Sequence, residues 1–367
     1  MNPEFRALLK KVGSGSHTSE PLTRTEAATA GRLMLSQQAT PAQIGAFLIA
    51  HRIKRPVPAE LTGLLDAYAD LGPVLPPIAS DHPVVVVGCP YDGRSRTAPV
   101  TPITALILAT AGIPTLLHGG DRMPTKYGLP LITIWHHLGL PLDTLTLHQV
   151  YTLLQLTHFG FVYLPRHFPE AQSLVPYRDE IGKRPPLATI ELLWCPYGGT
   201  AHIVSGFVHP PTEALAQHTF ELQHRTQFTT VKGLEGSCDL PLGRTAIIGM
   251  AQPAGGVNQR DHSRFERLLL HPRDYGFPTH DVPLENVGVP SPQGEARYLE
   301  QLSMTLMGKP TPLTDAAIWN GGFYLWRFGV CDTLEQGFAT AGEFLNSGAV
   351  QTQLTTIQST LYELQPC

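Results

Sequence analysis

Between residues 1 and 72 the apolar positions recur at helical spacing. Thr23 and Glu26 stand at capping-box distance ahead of a segment that runs on through Leu33 and Leu35. Thr40-Pro41-Ala42-Gln43 is a second start, with a capping hydroxyl, a proline suited to the first turn and a glutamine able to reach back. Ile44, Phe47, Leu48, Ile49 and Ile53 then share a helical face that Pro56 ends, and Leu61, Leu64, Leu65 and Tyr68 form another from Pro58. Short helices in succession predict a small helical bundle. A proline-rich stretch from Leu71 to Pro83 reads as a linker.

From Val84 the pattern changes. Val84 to Val87 is a β-branched run before Gly88 and predicts a buried strand. A loop from Gly88 to Pro99, a helix over Ile103 to Ala111 and a strand over Ile113 to His118 complete a right-handed parallel unit. Further strands are expected at Phe161 to Leu164, His202 to Val208 and Thr229 to Lys232. Helices are expected at Leu145 to Leu156, Pro211 to Leu222, Ala296 to Met307 and Asp332 to Leu345. Ala251 to Gly294 reads mostly as loop. The fold class is α/β, with a helical domain over 1–72, completed by part of 167–190, hinged to an α/β domain over 82–165 and 191–367 with a mixed, mostly parallel sheet.

Composition narrows the function. Hydrophobic residues make up 42% of the 367 and charged residues 15%, a globular balance. The formal net charge of -4 means that any nucleic-acid role needs a local basic patch. The five cysteines form no CxxC, which argues against a disulfide framework or structural zinc and for a reducing, cytoplasmic setting. No signal peptide and no membrane span are expected. HExxH, Walker A and GxSxG motifs are absent.

The run from Thr40 to Lys54 resembles the first helical hairpin of the anthranilate phosphoribosyltransferase family. The run from Gly329 to Gly337, with Ala341 and Asn346-Ser347-Gly348-Ala349, is similar to that family's closing helix and turn. The resemblance covers nearly the whole chain. It implies a homodimer formed through the helical domains, a cleft for phosphoribosyl pyrophosphate at the strand ends, and Mg2+ on the pyrophosphate when that ligand binds.

The loops that carry chemistry depart from the family pattern. In the first, Gly88 and Asp92 match the family's pyrophosphate cradle, but Cys89-Pro90-Tyr91 replaces small residues, and Arg94 and Arg96 add charge. Proline has no amide to donate and tyrosine fills space that glycine leaves open. Thr101 alone survives of the following motif. Arg94 and Arg96 read either as ligand cations or as solvated surface residues. In the second loop His118, Gly119 and Lys126 match, and Arg122 offers a further phosphate contact. His118 reads equally as a packing histidine. In the third, the family's paired magnesium carboxylates become Cys238-Asp239, with Glu235 able to compensate from the same turn. Arg178 matches the family's contact to an acceptor carboxylate.

The loops look closer to a divergent branch of the family, to which Tyr91-Asp92-Gly93, Arg94, Thr101-Pro102 and Glu235-Gly236 are similar. That branch is linked to nucleic-acid binding. The resulting expectation is a protein that binds a phosphate-bearing small molecule or nucleic acid in its interdomain cleft without the usual transfer. Arg52, Lys54, Arg55, Arg94, Arg96, Arg122 and Lys126 are the candidate cations. The alternative is an active phosphoribosyltransferase that uses phosphoribosyl pyrophosphate and magnesium with an anthranilate-type acceptor. Whether the chain is an enzyme stays open at this point.

Overall fold

The computed structural model describes residues 2–15, 17–253, 263–284 and 292–364. Helices α1 (Pro3–Gly13), α2 (Arg24–Leu35), α3 (Pro41–Lys54) and α4 (Pro58–Leu71) form the helical bundle. The capping boxes at Thr23 and Thr40 are both formed. Gly63 lets α2 and α4 touch, because a Cβ there would lie 2.1 Å from the Arg24 carbonyl oxygen. Glu60 ties the bundle together. Its carboxylate accepts from the Leu22 amide at 2.8 Å, the Val57 amide at 2.9 Å and Lys54 Nζ at 2.8 Å, and faces His51 Nε2 at 3.2 Å.

The second domain follows a β–α alternation: β1 (Val84–Gly88), α5 (Thr101–Thr110), β2 (Thr115–Gly119), α6 (Leu131–His137), α7 (Leu147–Thr157) and β3 (Phe159–Tyr163). Short helices α8 (Leu164–His167), α9 (Pro169–Gln172), α10 (Val175–Glu180) and α11 (Leu187–Leu193) lean back on the bundle. There the Tyr68 and Phe168 rings meet edge-on at 5.1 Å and Tyr177 donates to Gln37 at 2.9 Å. The chain then adds β4 (Ala201–Gly206), α12 (Pro210–Leu222), β5 (Phe228–Val231), β6 (Ala246–Pro253) and β7 (Ser263–Leu270). Helices α13 (Pro292–Leu306), α14 (Thr314–Arg327), α15 (Leu334–Asn346) and α16 (Ala349–Leu364) complete it.

The sheet runs β3-β2-β1-β4-β5-β6-β7. The first five strands in that order are parallel, and β6 and β7 are antiparallel to their neighbours. The strand order reverses between β1 and β4, so the loops leaving their carboxyl ends diverge and open a crevice, the usual ligand position in such sheets.

Ala251–Gly294 is not mostly loop within the described residues, since β6 and β7 form an extended antiparallel pair whose register runs from Ala246↔Leu270 to Pro253↔Ser263. The charges Arg264, Glu266 and Arg267 interrupt the apolar residues of β7, as suits an exposed edge strand, and so obscure it in the sequence. Residues 254–262 and 285–291 of that stretch lie outside the described residues. The sequence reading also passed over α6, α8, α9, α11, α14 and α16.

Candidate functional site

Three loops meet at the carboxyl ends of β1, β2 and β5. The first, residues 89–100, folds under Gly93, whose φ is +74° and where a Cβ would lie 2.5 Å from the Gly128 carbonyl carbon. No other residue suits that approach and that conformation together. The close pass lets Arg94 and Leu129 exchange backbone hydrogen bonds, at 3.2 and 2.7 Å, and so zips the first loop to the second.

Tyr91 is buried, and its hydroxyl meets His118 Nδ1 at 2.5 Å. Trp194 packs edge-on against the imidazole, ring centres 5.2 Å apart. Burial pushes the His118 imidazole down to about 3. His118 therefore stays neutral at ordinary pH and forms part of the site's wall.

Arg94 is buried between two carboxylates. Its Nη1 lies 2.5 Å from Asp239 Oδ2 and 2.8 Å from Ser237 Oγ, its Nε 3.4 Å from Glu235 Oε1, and its Nη2 bonds Thr97 Oγ1. Asp239 also accepts the Val100 amide at 3.0 Å and the Thr101 hydroxyl at 2.7 Å. It thus sits at the N-terminus of α5, where the helix end favours negative charge. Glu235 fills the other part of the loop. It accepts the amides of Arg96 and Thr97, each at 3.0 Å, and of Ser95 at 3.3 Å, with the hydroxyls of Thr97 and Ser95 at 3.0 and 3.2 Å. Burial raises the Glu235 carboxyl, but the Arg94 charge, these amides and Lys126 outweigh it and bring the group to about 2. Glu235 reaches this place from a left-handed conformation, φ 54°, one residue before Gly236.

The third loop is held from behind by α14. The Leu240 amide donates to Asn320 Oδ1 at 2.7 Å and the Tyr324 hydroxyl to the Cys238 carbonyl at 2.6 Å. Cys238 donates its thiol to the Gly88 and Val204 carbonyls at 3.2 and 3.3 Å. Burial pushes the Cys238 and Cys89 thiols up, Cys89 to about 12, so neither is a nucleophile.

Asp92 differs from these saturated groups. Neither of its buried oxygens has a hydrogen-bond donor, and the cations nearest it stand back, Arg184 Nη2 at 3.5 Å and Lys126 Nζ at 3.7 Å. Lys126 is also 3.6 Å from Glu235, and burial lowers its ammonium despite Asp92 and Glu235.

The remaining sequence candidates are more scattered. Arg96 is exposed and 3.8 Å from Glu235. Arg122 turns to Glu295 at 2.8 Å and to the Tyr127 carbonyl at 2.7 Å. Arg178 is buried, paired with Glu191 and 3.3 Å from Met123 Sδ. Lys54 serves Glu60. Gly88, Gly119 and Thr101 lie at the base of the loops. Among the residues that the sequence reading passed over, Arg184 stands in Gly182-Lys183-Arg184-Pro185, directly after the segment of Arg178, and Ser95, Thr97 and Ser237 flank named positions.

Two spaces adjoin this cluster. A small one of about 30 Å3, lined by Tyr91, Arg94, His118 and Gly119 among others, holds little more than a water. The other is an open cleft of about 960 Å3 between the domains, lined by Arg52, Arg55, Arg184, Phe207, His209 and His218 among others. Among the described residues its lining carries no carboxylate, and no group of three or more metal-ligating side chains occurs anywhere among them. No described helix is long and apolar enough to cross a membrane.

Comparisons with known proteins agree with this architecture. Residues 6–72 match the glycosyl transferase family helical bundle domain, and residues 92–351 match the a/b domain of the same family. The chain is 28% identical to the anthranilate phosphoribosyltransferase of Rhodopseudomonas palustris (strain BisB18) over 352 residues, 96% of each chain. It is also 28% identical to that of Bradyrhizobium sp. (strain BTAi1), over 96% of this chain and 97% of that one. Solved structures of the same fold include anthranilate phosphoribosyltransferase from Thermus thermophilus, with TM-score 0.74 and 21% identity over 97% of this chain and 99% of that one. The Saccharomyces cerevisiae enzyme in complex with PRPP and Mg has TM-score 0.77 and 16% identity, over 98% of both chains.

Proposed function

The chain belongs to the glycosyl transferase family, and from that premise we propose that it is a phosphoribosyltransferase-type protein whose interdomain cleft receives a phosphate-bearing ribosyl ligand of the phosphoribosyl pyrophosphate class. The observation that carries this reading is the group of Asp92, Lys126 and Arg184, of which Arg184 also lines the open cleft. Both cations face a carboxylate that no donor satisfies, at 3.7 and 3.5 Å. Lys126 donates only a long hydrogen bond, 3.3 Å, to the Gly93 carbonyl, and a phosphate can take over as partner of both cations through charge-assisted hydrogen bonds. Arg52 and Arg55 extend the positive surface across the hinge.

Transfer to an acceptor amine is the chemistry that the full-length similarity to anthranilate phosphoribosyltransferases supports. In that reaction the bond between ribosyl C1 and the pyrophosphate oxygen breaks, a C1–N bond forms, and pyrophosphate and a proton leave. Lys126 and Arg184 are the cations in position to take the departing charge. Arg178 is committed to Glu191, so an acceptor carboxylate reaches it only by displacing that partner.

Magnesium accompanies the donor in the yeast structure. Here Glu235 and Asp239 do not fit a divalent ion. Each carboxylate is saturated by protein donors, and a guanidinium stands between them.

A second reading is that the ligand is a nucleic acid. The carboxylate-free lining of the open cleft, with Arg52, Arg55 and Arg184, favours it. Homodimer formation through the helical domain accompanies either reading, and sedimentation tests it. Calorimetric titration with phosphoribosyl pyrophosphate separates the two. Saturable binding supports the first. Its absence, with oligonucleotide binding that weakens steeply with salt, supports the second.

A further inference from the structure

We infer that Arg94 is the resident cation of this site and stands in for a divalent metal. Its guanidinium bridges Asp239 Oδ2 at 2.5 Å and Glu235 Oε1 at 3.4 Å, with side-chain exposures of 5%, 2% and 2% for Arg94, Glu235 and Asp239. The negative charge of the immediate cluster is fully matched. Asp92, Glu235 and Asp239 face Arg94, Lys126 and Arg184, each ion pair within 4 Å, and the exposed Arg96 stands 3.8 Å from Glu235.

A magnesium or manganese ion entering such a cluster brings two positive charges to buried carboxylates that already have their cations, which is strongly unfavourable at low dielectric. It also has to strip Asp239 of the Val100 amide and Thr101 hydroxyl, and Glu235 of the loop amides. Hard divalent ions take oxygen ligands and compete poorly for carboxylates already bonded in this way. A guanidinium does not lose its proton at working pH. The site's positive charge is thus built into the chain and independent of free metal. Ser237 and Thr97 hold the remaining edges of the guanidinium and fix its plane.

The inference goes beyond the proposed ligand and does not need its identity, because the test uses metal alone. Manganese is titrated into the wild type, Arg94→Ala and Arg94→Lys, followed by electron paramagnetic resonance and by thermal unfolding. The wild type and Arg94→Lys are expected to leave Mn2+ free. Arg94→Ala is expected to bind one Mn2+ per chain, roughly tenfold or more tighter than the wild type, a change that removal of one close like charge readily supplies. Where Arg94→Ala is unstable, Mn2+ is expected to raise its unfolding temperature, since metal binding then contributes to folding. One Mn2+ bound by the wild type and lost in Asp239→Asn overturns the inference. So does an Arg94→Ala protein that, folded or unfolded, responds to Mn2+ no more than the wild type. Failure of the ligand reading is seen separately, as absence of binding by phosphoribosyl pyrophosphate.

Discussion

The hydroxyl of Tyr91 meets Nδ1 of His118 at 2.5 Å, joining the loop after β1 to the end of β2. The contact makes both residues part of a wall. The pocket that they line measures about 30 Å3, against about 960 Å3 for the open cleft between the domains.

That contact has a pH signature. Burial holds His118 at about 3, while an unfolded histidine titrates near 6.5. Between these values the unfolded chain carries a proton that the native chain refuses, so stability is lost as pH falls from about 6.5 toward 3. Urea unfolding at stepped pH should show this slope, and His118→Asn should flatten it; equal slopes in both proteins would mean that other groups carry it. Tyr91→Phe leaves Nδ1 without its partner and should cost about 1–3 kcal/mol at pH 7.

Glu60 makes the corresponding prediction for the helical bundle. Burial raises its carboxyl, but His51, Lys54 and the Leu22 amide prevail and set it at about 2. A folded value below the unfolded one gives stability that is present above about 4.5 and lost as pH falls through 2. Glu60→Gln removes one partner of a buried ion pair and should destabilise by about 3–5 kcal/mol, read from the denaturant midpoint. A loss under about 1 kcal/mol would show that Lys54 and His51 rearrange at little cost.

Gly93→Ala tests the zip between the first two loops. A Cβ there lies 2.5 Å from the Gly128 carbonyl carbon, on a residue with φ +74°. The expected cost is about 1–3 kcal/mol, with faster amide exchange at Arg94 and Leu129. Wild-type exchange at both amides would mean that the close approach is not what holds the loops.

Lys126→Ala and Arg184→Ala should each weaken phosphoribosyl pyrophosphate binding by about tenfold or more, the loss of one charged hydrogen bond. Arg122→Ala, whose side chain is engaged by Glu295, should leave the affinity within about twofold. Equal effects at all three positions in calorimetry would point to general charge rather than to the two cations beside Asp92.

Much of the fold is legible from local pattern. The valine run of β1 and the capping boxes of α2 and α3 announce themselves, because each is a short-range rule. Strand β7 does not, since Arg264, Glu266 and Arg267 break up its apolar residues, and its partner β6 ends in Pro253. In the site, the loops themselves are readable and the pairing of their charges is not. Arg94 and Glu235 are 141 positions apart, and nothing at either one says that it is the other's counter-ion. Arg94 therefore reads from sequence as a cation open to a ligand, whereas its guanidinium is enclosed between Glu235 and Asp239. Arg184 is missed for the same reason: its contact with Asp92 depends on how the hinge segment folds back.

The crevice between β1 and β4 has a consequence in time. Val84 pairs with Ala201, so the two strands that flank the cleft are neighbours only after the whole of the intervening chain has been made and packed. Long-range pairings of this kind come late in folding. On a ribosome or in a refolding tube, helices and the β1–β2–β3 half should gain order first, while the capacity to hold a ligand arrives in a later phase, with the docking of β4.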